Sequence, residues 1–263
     1  MRIIDAHTHL GTSFNTMAWH QKFDRIDDAS IVEDFERIGI DCIVTAPHTL
    51  EIGLMEETNA WTAKAAEAFP GKIYGYMNVS PTDGVHAVKR QLEKYSKNPA
   101  FVGIKILAGY FGEVLQPEFQ YAMDFADETG CPILFHEWGN IPDRKGFEEA
   151  LKTRHNMKLI IAHQGGGSAA DTRACAPIIT SYENAYMELC GSLENQYPVE
   201  GIIDLVGEDK VIFGTDLIDL DPKYELGRVM FAEMSDEIKE KVFSLNYLKL
   251  LETSQLGKIL FRD

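Results

Sequence analysis

Met1-Arg2-Ile3-Ile4-Asp5-Ala6-His7-Thr8-His9-Leu10 opens the chain. A short apolar run leads straight into two histidines. Strand side chains alternate faces, so His7 and His9 point the same way. Two neutral imidazoles on one side of a strand end are half of a zinc site. Alone, the pattern equally suits surface or core histidines. The rest of the chain has to answer it.

Eight short apolar segments bounded by turn signals recur, at 2–6, 42–46, 73–79, 101–107, 132–136, 158–163, 185–190 and 211–214. Most are rich in Ile, Val, Leu, Phe or Tyr, as strands buried on both faces are. Their starts lie 26 to 40 residues apart, and a strand with its crossover helix takes roughly 30. The stretches between them read as helices. Ser30-Ile31-Val32-Glu33 is a capping-box pattern opening a helix that ends near Gly39. Further helices are expected over 56–69, 84–95, 117–129, 147–154, 171–182, 198–206 and 223–234, with a last one over 235–251. Eight strands alternating with helices, without a linker or second-domain boundary, argue for one α/β domain over 1–263, a (β/α)8 TIM barrel. The other candidate is an open doubly wound sheet, but no Gly-x-Gly-x-x-Gly follows the first segment.

The 263 residues carry a net charge of −16, which repels nucleic acid and anionic membrane surfaces. No signal peptide is visible, since Asp5 breaks the first apolar run. No stretch of about 18 apolar residues is present. The four cysteines, at 42, 131, 175 and 190, form no Cys-x-x-Cys pair. Reduced thiols in a cytoplasmic protein are the simple reading.

In a barrel, the C-terminal strand ends converge on one face. The first segment delivers His7 and His9, the fifth ends at His136, the sixth at His163, and the eighth leads into Asp216. The fourth contains Lys105, and His48 follows the second. Any one of these fits a hydrogen-bonded structural role. All of them on one face do not, because unpaired buried polar groups cost roughly 1–3 kcal/mol each. A divalent metal removes that cost. Three histidines and an aspartate fit zinc, with iron, manganese or cobalt as substitutes.

The ordered set Asp5-Ala6-His7-Thr8-His9, Gly103-Ile104-Lys105, His136, His163-Gln164-Gly165-Gly166 and Gly214-Thr215-Asp216 resembles the amidohydrolase superfamily. Within it, the set resembles the branch of aminocarboxymuconate-semialdehyde decarboxylase and many metal-dependent hydrolases. The resemblance spans the whole chain. It implies that His7, His9, His136 and Asp216 bind one metal. It also implies that His163 faces the bound water or substrate as an acid–base or electrophilic group. Two departures lie in pocket loops and bear on substrate. Leu107-Ala108-Gly109 stands where the family often has His-Pro after Gly-x-Lys and an aliphatic residue, and Pro222 comes late after Asp216.

Lys105 has two readings, a carboxylated bridge between two ions or a plain buried ammonium. The second is the expectation, because the sequence shows no further carboxylate bridge. Cys190 either faces the pocket from the end of the seventh segment or packs in the core, and the core is the expectation. Glu137 is either a partner to a ligand or a solvated acid. The long segment 11–29, with Tyr110, Phe111 and Trp138, either walls an apolar pocket or caps the barrel and makes a subunit contact, which leaves a homodimer open. Lys105, His48, Arg25 and Trp138 are candidate substrate contacts, with Arg25 and Arg144 as anchors for a carboxylate. The expected function is hydrolysis of a small amide, lactone or related carbonyl by a metal-activated water, with Asp216 as base. Loss of CO2 from an unsaturated or aromatic acid is the first alternative. A barrel kept only for binding is the second, and the intact ligand set argues against it.

Overall fold

The computed structural model describes residues 1–11, 27–136, 143–191 and 198–261. Strands follow the eight apolar segments: β1 (Ile4–Thr8), β2 (Cys42–Thr45), β3 (Ile73–Val79), β4 (Phe101–Ile106), β5 (Pro132–Phe135), β6 (Lys158–Ile161), β7 (Ala185–Glu188) and β8 (Val211–Ile212). Neighbours pair in parallel in the order β1 to β8. The ring closes from β8 to β1. The Ala6 N–H donates to the Phe213 carbonyl at 3.1 Å and the Asp216 N–H to the His7 carbonyl at 2.8 Å. The expected (β/α)8 barrel is the architecture found.

The helices are α1 (Asp28–Arg37), α2 (Met55–Ala68), α3 (Gly84–Tyr95), α4 (Ala108–Phe111), α5 (Pro117–Thr129), α6 (Arg144–Thr153), α7 (Ala169–Ser181), α8 (Val199–Val206), α9 (Pro222–Met230), α10 (Asp236–Glu240) and α11 (Asn246–Glu252). Ser30 does not open α1. The Asp27 carboxylate accepts the Ser30 N–H at 2.8 Å and caps the helix one turn earlier. The expected last helix is a capped run from Ser235 onward, with a π-type turn over Lys241–Leu245 between α10 and α11. The short α4, directly after β4, was not expected. Among the described residues no helix is long and apolar enough to cross a membrane.

Two buried layers form the core. Strand faces and helices enclose the larger one. Inside the barrel, Ile4, Ala6, Val44, Tyr76, Leu134 and Ile160 pack with Tyr247, Leu250 and Leu251 of α11. α11 thus plugs the floor. Tyr76 and Tyr247 join hydroxyls at 2.9 Å, and the Tyr76 O–H reaches the Ala6 carbonyl at 2.7 Å. With the floor filled, the site has only the C-terminal mouth of the barrel to occupy.

One local irregularity aims the opening motif. Asp5 pairs with Ile43, but Thr8 pairs with Thr45, so β1 carries one extra residue. Before the bulge, Ile4 and Ala6 face the barrel interior and Ile3 faces the helices. Strict alternation would send His7 and His9 out with Ile3. The bulge reverses the parity, and both rings enter the barrel mouth.

Candidate metal centre and active site

His7 and His9 meet Asp216 at the mouth. His9 Nε2 is 3.1 Å and His7 Nε2 3.4 Å from Asp216 Oδ1. With metal–ligand bonds of about 2.0–2.2 Å, ligand atoms on one ion stand about 3.0–3.5 Å apart. Gly214 allows this approach, since a Cβ there would lie 2.8 Å from the His7 Cβ and against the Glu188 carboxylate. Thr215 ties the same turn to β1, its N–H and hydroxyl donating to Asp5 at 3.0 and 2.5 Å. Asp216 itself takes φ 61°, and His163 and Gln164 take 56° and 57°. These are the non-glycine residues with positive φ among those described. Such backbone costs of order 1–3 kcal/mol per residue and concentrates where function holds it.

A chain of hydrogen bonds sets the tautomers. The His9 Nδ1–H donates to the Ala46 carbonyl at 2.6 Å, leaving the lone pair on Nε2. His7 Nδ1 lies 3.0 Å from Glu188 Oε2, so its lone pair is also on Nε2. Burial pushes the Cys190 thiol well up, so the S–H donates to Glu188 at 2.9 Å. Its sulfur then accepts from His163 Nδ1 at 3.2 Å. His163 Nε2 accepts in turn from His136 Nδ1 at 3.0 Å. That leaves His136 Nε2 as a lone pair, buried and without a hydrogen-bond partner among the described residues. Burial, reinforced by the Lys105 charge, holds His7 well below the ordinary histidine value, and burial takes His163 to about 4. Burial also holds His136 low. These rings are neutral, as ligands must be.

Lys105, fully buried, donates from Nζ to His7 Nε2 at 2.6 Å. Burial lowers its pKa, and Asp216 opposes that. Burial also raises the Asp216 carboxyl. His7, the His9 hydrogen bond and His163 outweigh it and hold Asp216 well below the usual carboxylate range. The Lys105 ammonium therefore stands where the donor set calls for positive charge. The residues fit a divalent ion on two grounds, the orphaned His136 Nε2 and the convergence of imidazole and carboxylate donors on Asp216. The groups of ligand atoms within 4.8 Å of one another are not the expected quartet, however. They are His7, His163, Cys190 and Asp216; His9, Asp216 and Asp219; and His48, Glu51 and Asp219. His136 stands one hydrogen bond back, behind His163.

A sequence model of the amidohydrolase family matches residues 4–252. The chain belongs to the amidohydrolase family. Among curated protein sequences none is significantly similar to it. Solved structures share its fold at low identity. A dihydroxybenzoic acid decarboxylase from a Polaromonas species, holding manganese and the inhibitor 2-nitroresorcinol, superposes with a TM-score of 0.77 at 13% identity, covering 95% of this chain and 96% of that one. A 2,6-dihydroxybenzoate decarboxylase from Rhizobium gives 0.76 at 12%, over 95% and 99%. A manganese-bound 5-carboxyvanillate decarboxylase from Novosphingobium aromaticivorans gives 0.73 at 15%, over 95% and 96%.

Other expected site residues of this amidohydrolase fall less simply. His48 opens a 3-10 turn after β2 and stacks on His9, ring centroids 4.4 Å apart. Arg144 begins α6 and pairs with Asp171 at 2.7 Å, which removes it as an unengaged carboxylate anchor. Arg25, Glu137 and Trp138 lie outside the described residues. Tyr110 sets its ring edge-on to His136, with centroids 5.1 Å apart. Cys190 was expected in the core, but its sulfur sits at the heart of the site, 3.1 Å from His7 Nδ1.

Sequence reading missed Glu188. Its one signal was an acid at the end of an apolar strand, Ala185-Tyr186-Met187-Glu188. Fully buried, it accepts from His7, from the Cys190 thiol and from the N–H groups of His163 and Cys190. A carboxylate behind a ligating histidine orients the ring and strengthens it as a donor. Glu188→Gln offers an amide N–H where His7 needs an acceptor. Affinity for Zn2+ or Mn2+ is expected to fall about 10–100-fold by equilibrium dialysis. Unchanged affinity would remove Glu188 from the site.

Proposed function

We propose that this amidohydrolase is a metal-dependent decarboxylase of an aromatic or unsaturated carboxylic acid. The observation that carries the reading is the fully buried Lys105 ammonium, 2.6 Å from His7 Nε2. A fixed cation beside the donor set suits a substrate that arrives as a carboxylate and leaves electrons behind. The decarboxylases that share the fold support the same direction. Sequence alone favours hydrolysis, because the pocket loops hold few cations beyond Arg25 and Arg144 and Lys105 is only one candidate substrate contact among several. Its position in the cluster reverses that order.

His7, His9 and Asp216, with His136 drawn forward from behind His163, are the residues to hold the ion. Their mixed nitrogen and oxygen donors suit zinc or manganese. Such an ion supplies Lewis acidity toward the substrate's oxygens. Lys105 receives the carboxylate and orients it. The bond from the substrate carbon to its carboxylate breaks, and that carbon keeps the electron pair and takes one proton. CO2 leaves, so one carboxylate and one proton become one C–H product and one CO2. His163, held by hydrogen bonds to His136 and Cys190, is the acid–base group placed to hand that proton to the carbon.

Hydrolysis of an amide or lactone is the second reading, favoured by Asp216 held ionised as a base for water. The test is a panel of dihydroxybenzoates, other aromatic and unsaturated acids, lactones and amides, offered to enzyme loaded with Mn2+ or Zn2+. Metal-dependent CO2 release with stoichiometric C–H product is expected. Ester or amide cleavage without CO2 from any acid would move the enzyme to the hydrolases.

A further inference from the structure

A single ion is the expectation from sequence, because no carboxylate is in sight to bridge a second. The fold supplies one. Asp219, three residues beyond Asp216, belongs to two of the ligand groups. One joins it to His9 and Asp216, the other to His48 and Glu51.

His48 is 1% exposed. Its Nδ1–H donates to Glu51 Oε1 at 3.0 Å, which leaves Nε2 as the atom that takes either a proton or a cation. Nε2 faces Asp219 Oδ1 at 3.4 Å. Both atoms are buried, and among the described residues neither has a hydrogen-bond partner beyond this ion-pair contact. With the Nε2 proton displaced, these two atoms stand at the separation of two ligands of one ion, given bonds of about 2.0–2.2 Å. Glu51 behind His48 repeats the arrangement of Glu188 behind His7, a carboxylate fixing a ring so that Nε2 points at a cation. The stacked His48 and His9 rings put the two sites side by side.

We propose that His48 Nε2 and Asp219 Oδ1 bind a second divalent cation, with Glu51 orienting His48 and Asp219 shared with the His9–Asp216 site. Three acids, at 51, 216 and 219, surround this position, so it selects a cation over an anionic substrate group. The rival occupant is a proton. Burial disfavours it on His48, but Asp219 and Glu51 outweigh burial and raise that imidazole to about 9. The pocket asks for one positive charge, and a divalent ion competes with the proton for it.

The inference rests on the reading of His7, His9 and Asp216 as a metal centre, and the experiment separates the two. The full chain is stripped with chelator and brought to equilibrium dialysis against excess Mn2+, with His48→Gln and Asp219→Asn in parallel. Wild type is expected to hold about two ions per chain and His48→Gln about one. Low-temperature electron paramagnetic resonance of wild type should show a spin-coupled manganese pair, which needs no variant to fold. In His48→Gln the spectrum should revert to isolated Mn2+. Wild type with about one ion and an uncoupled spectrum overturns the second site while the first reading stands. A variant that keeps both ions places the second elsewhere and equally overturns it. No retained ion in wild type defeats the metal centre itself.

Discussion

Asp216→Asn is expected to lower divalent-metal affinity on the order of 10³-fold, beyond the 10–100-fold typical of an orienting partner, and to abolish turnover with it. Asp216 Oδ1 is the shared neighbour of His9 and His7. The change keeps the side-chain shape and removes the negative charge. Its backbone, at φ 61°, suits asparagine as well as aspartate. Misfolding is therefore not the expected outcome, and a wild-type melting curve without metal would establish that. Retained stoichiometric metal and retained activity in Asp216→Asn would place the ion elsewhere.

Lys105→Met is expected to separate binding from turnover. Methionine is close in length, carries no charge and tolerates the buried position. Lys105 takes the His7 lone pair that an ion needs, so its loss should raise Mn2+ affinity, roughly tenfold for about 1.4 kcal/mol of relieved competition. Turnover should fall about 10²–10³-fold, because the substrate carboxylate loses its fixed cation. Stability should split by state. Without metal, Asp216 loses a compensating charge and the melting temperature falls. With metal, the ion supplies that charge and the buried ammonium no longer has to be desolvated, so the melting temperature rises. Calorimetry of both states, with binding isotherms, tests this. Full activity in Lys105→Met would remove the observation on which decarboxylation rests.

The barrel was legible because apolar runs and helical stretches alternate at a spacing that one strand and one crossover helix require. Glycine and proline also mark the ends of α5, where Pro117 begins the helix and Gly130 closes it at φ 69°. Boundaries moved where a single side chain decided them. Asp27 lies one turn before the capping-box pattern, and its carboxylate took the N-terminus of α1. The short α4 has no amphipathic period to reveal it, being only four residues long.

Within the site, residues on strand ends could be located from sequence, and their partners could not. Glu188 and Cys190 look like interruptions of an apolar run. Their meaning comes from distance, because β7 lies one strand beyond β8 from β1 and brings a carboxylate past Gly214 to His7 Nδ1. Asp219 and Glu51 are two acids among 41; Glu51 reaches His48 within one 3-10 turn, and Asp219 comes to it from the loop after β8. Arg144 is the reverse case. Its charge suggested a substrate anchor, and Asp171 on the next helix has already engaged it.

Sequence by itself determined the fold class, the face on which the chemistry lies, and four of the histidines gathered there. Local periodicity and turn residues carry that information along the chain. Tertiary structure decided which way those histidines look. By alternation alone, His7 and His9 belong with Ile3 and face the helices. One extra residue in β1, visible only as a slipped pairing with β2, turns both into the barrel. Tertiary structure also decided their tautomers, since each Nδ1–H goes to an acceptor remote in sequence, Glu188 for His7 and Ala46 for His9. Register and hydrogen-bond partners are set between strands, by contacts that no single stretch of sequence contains.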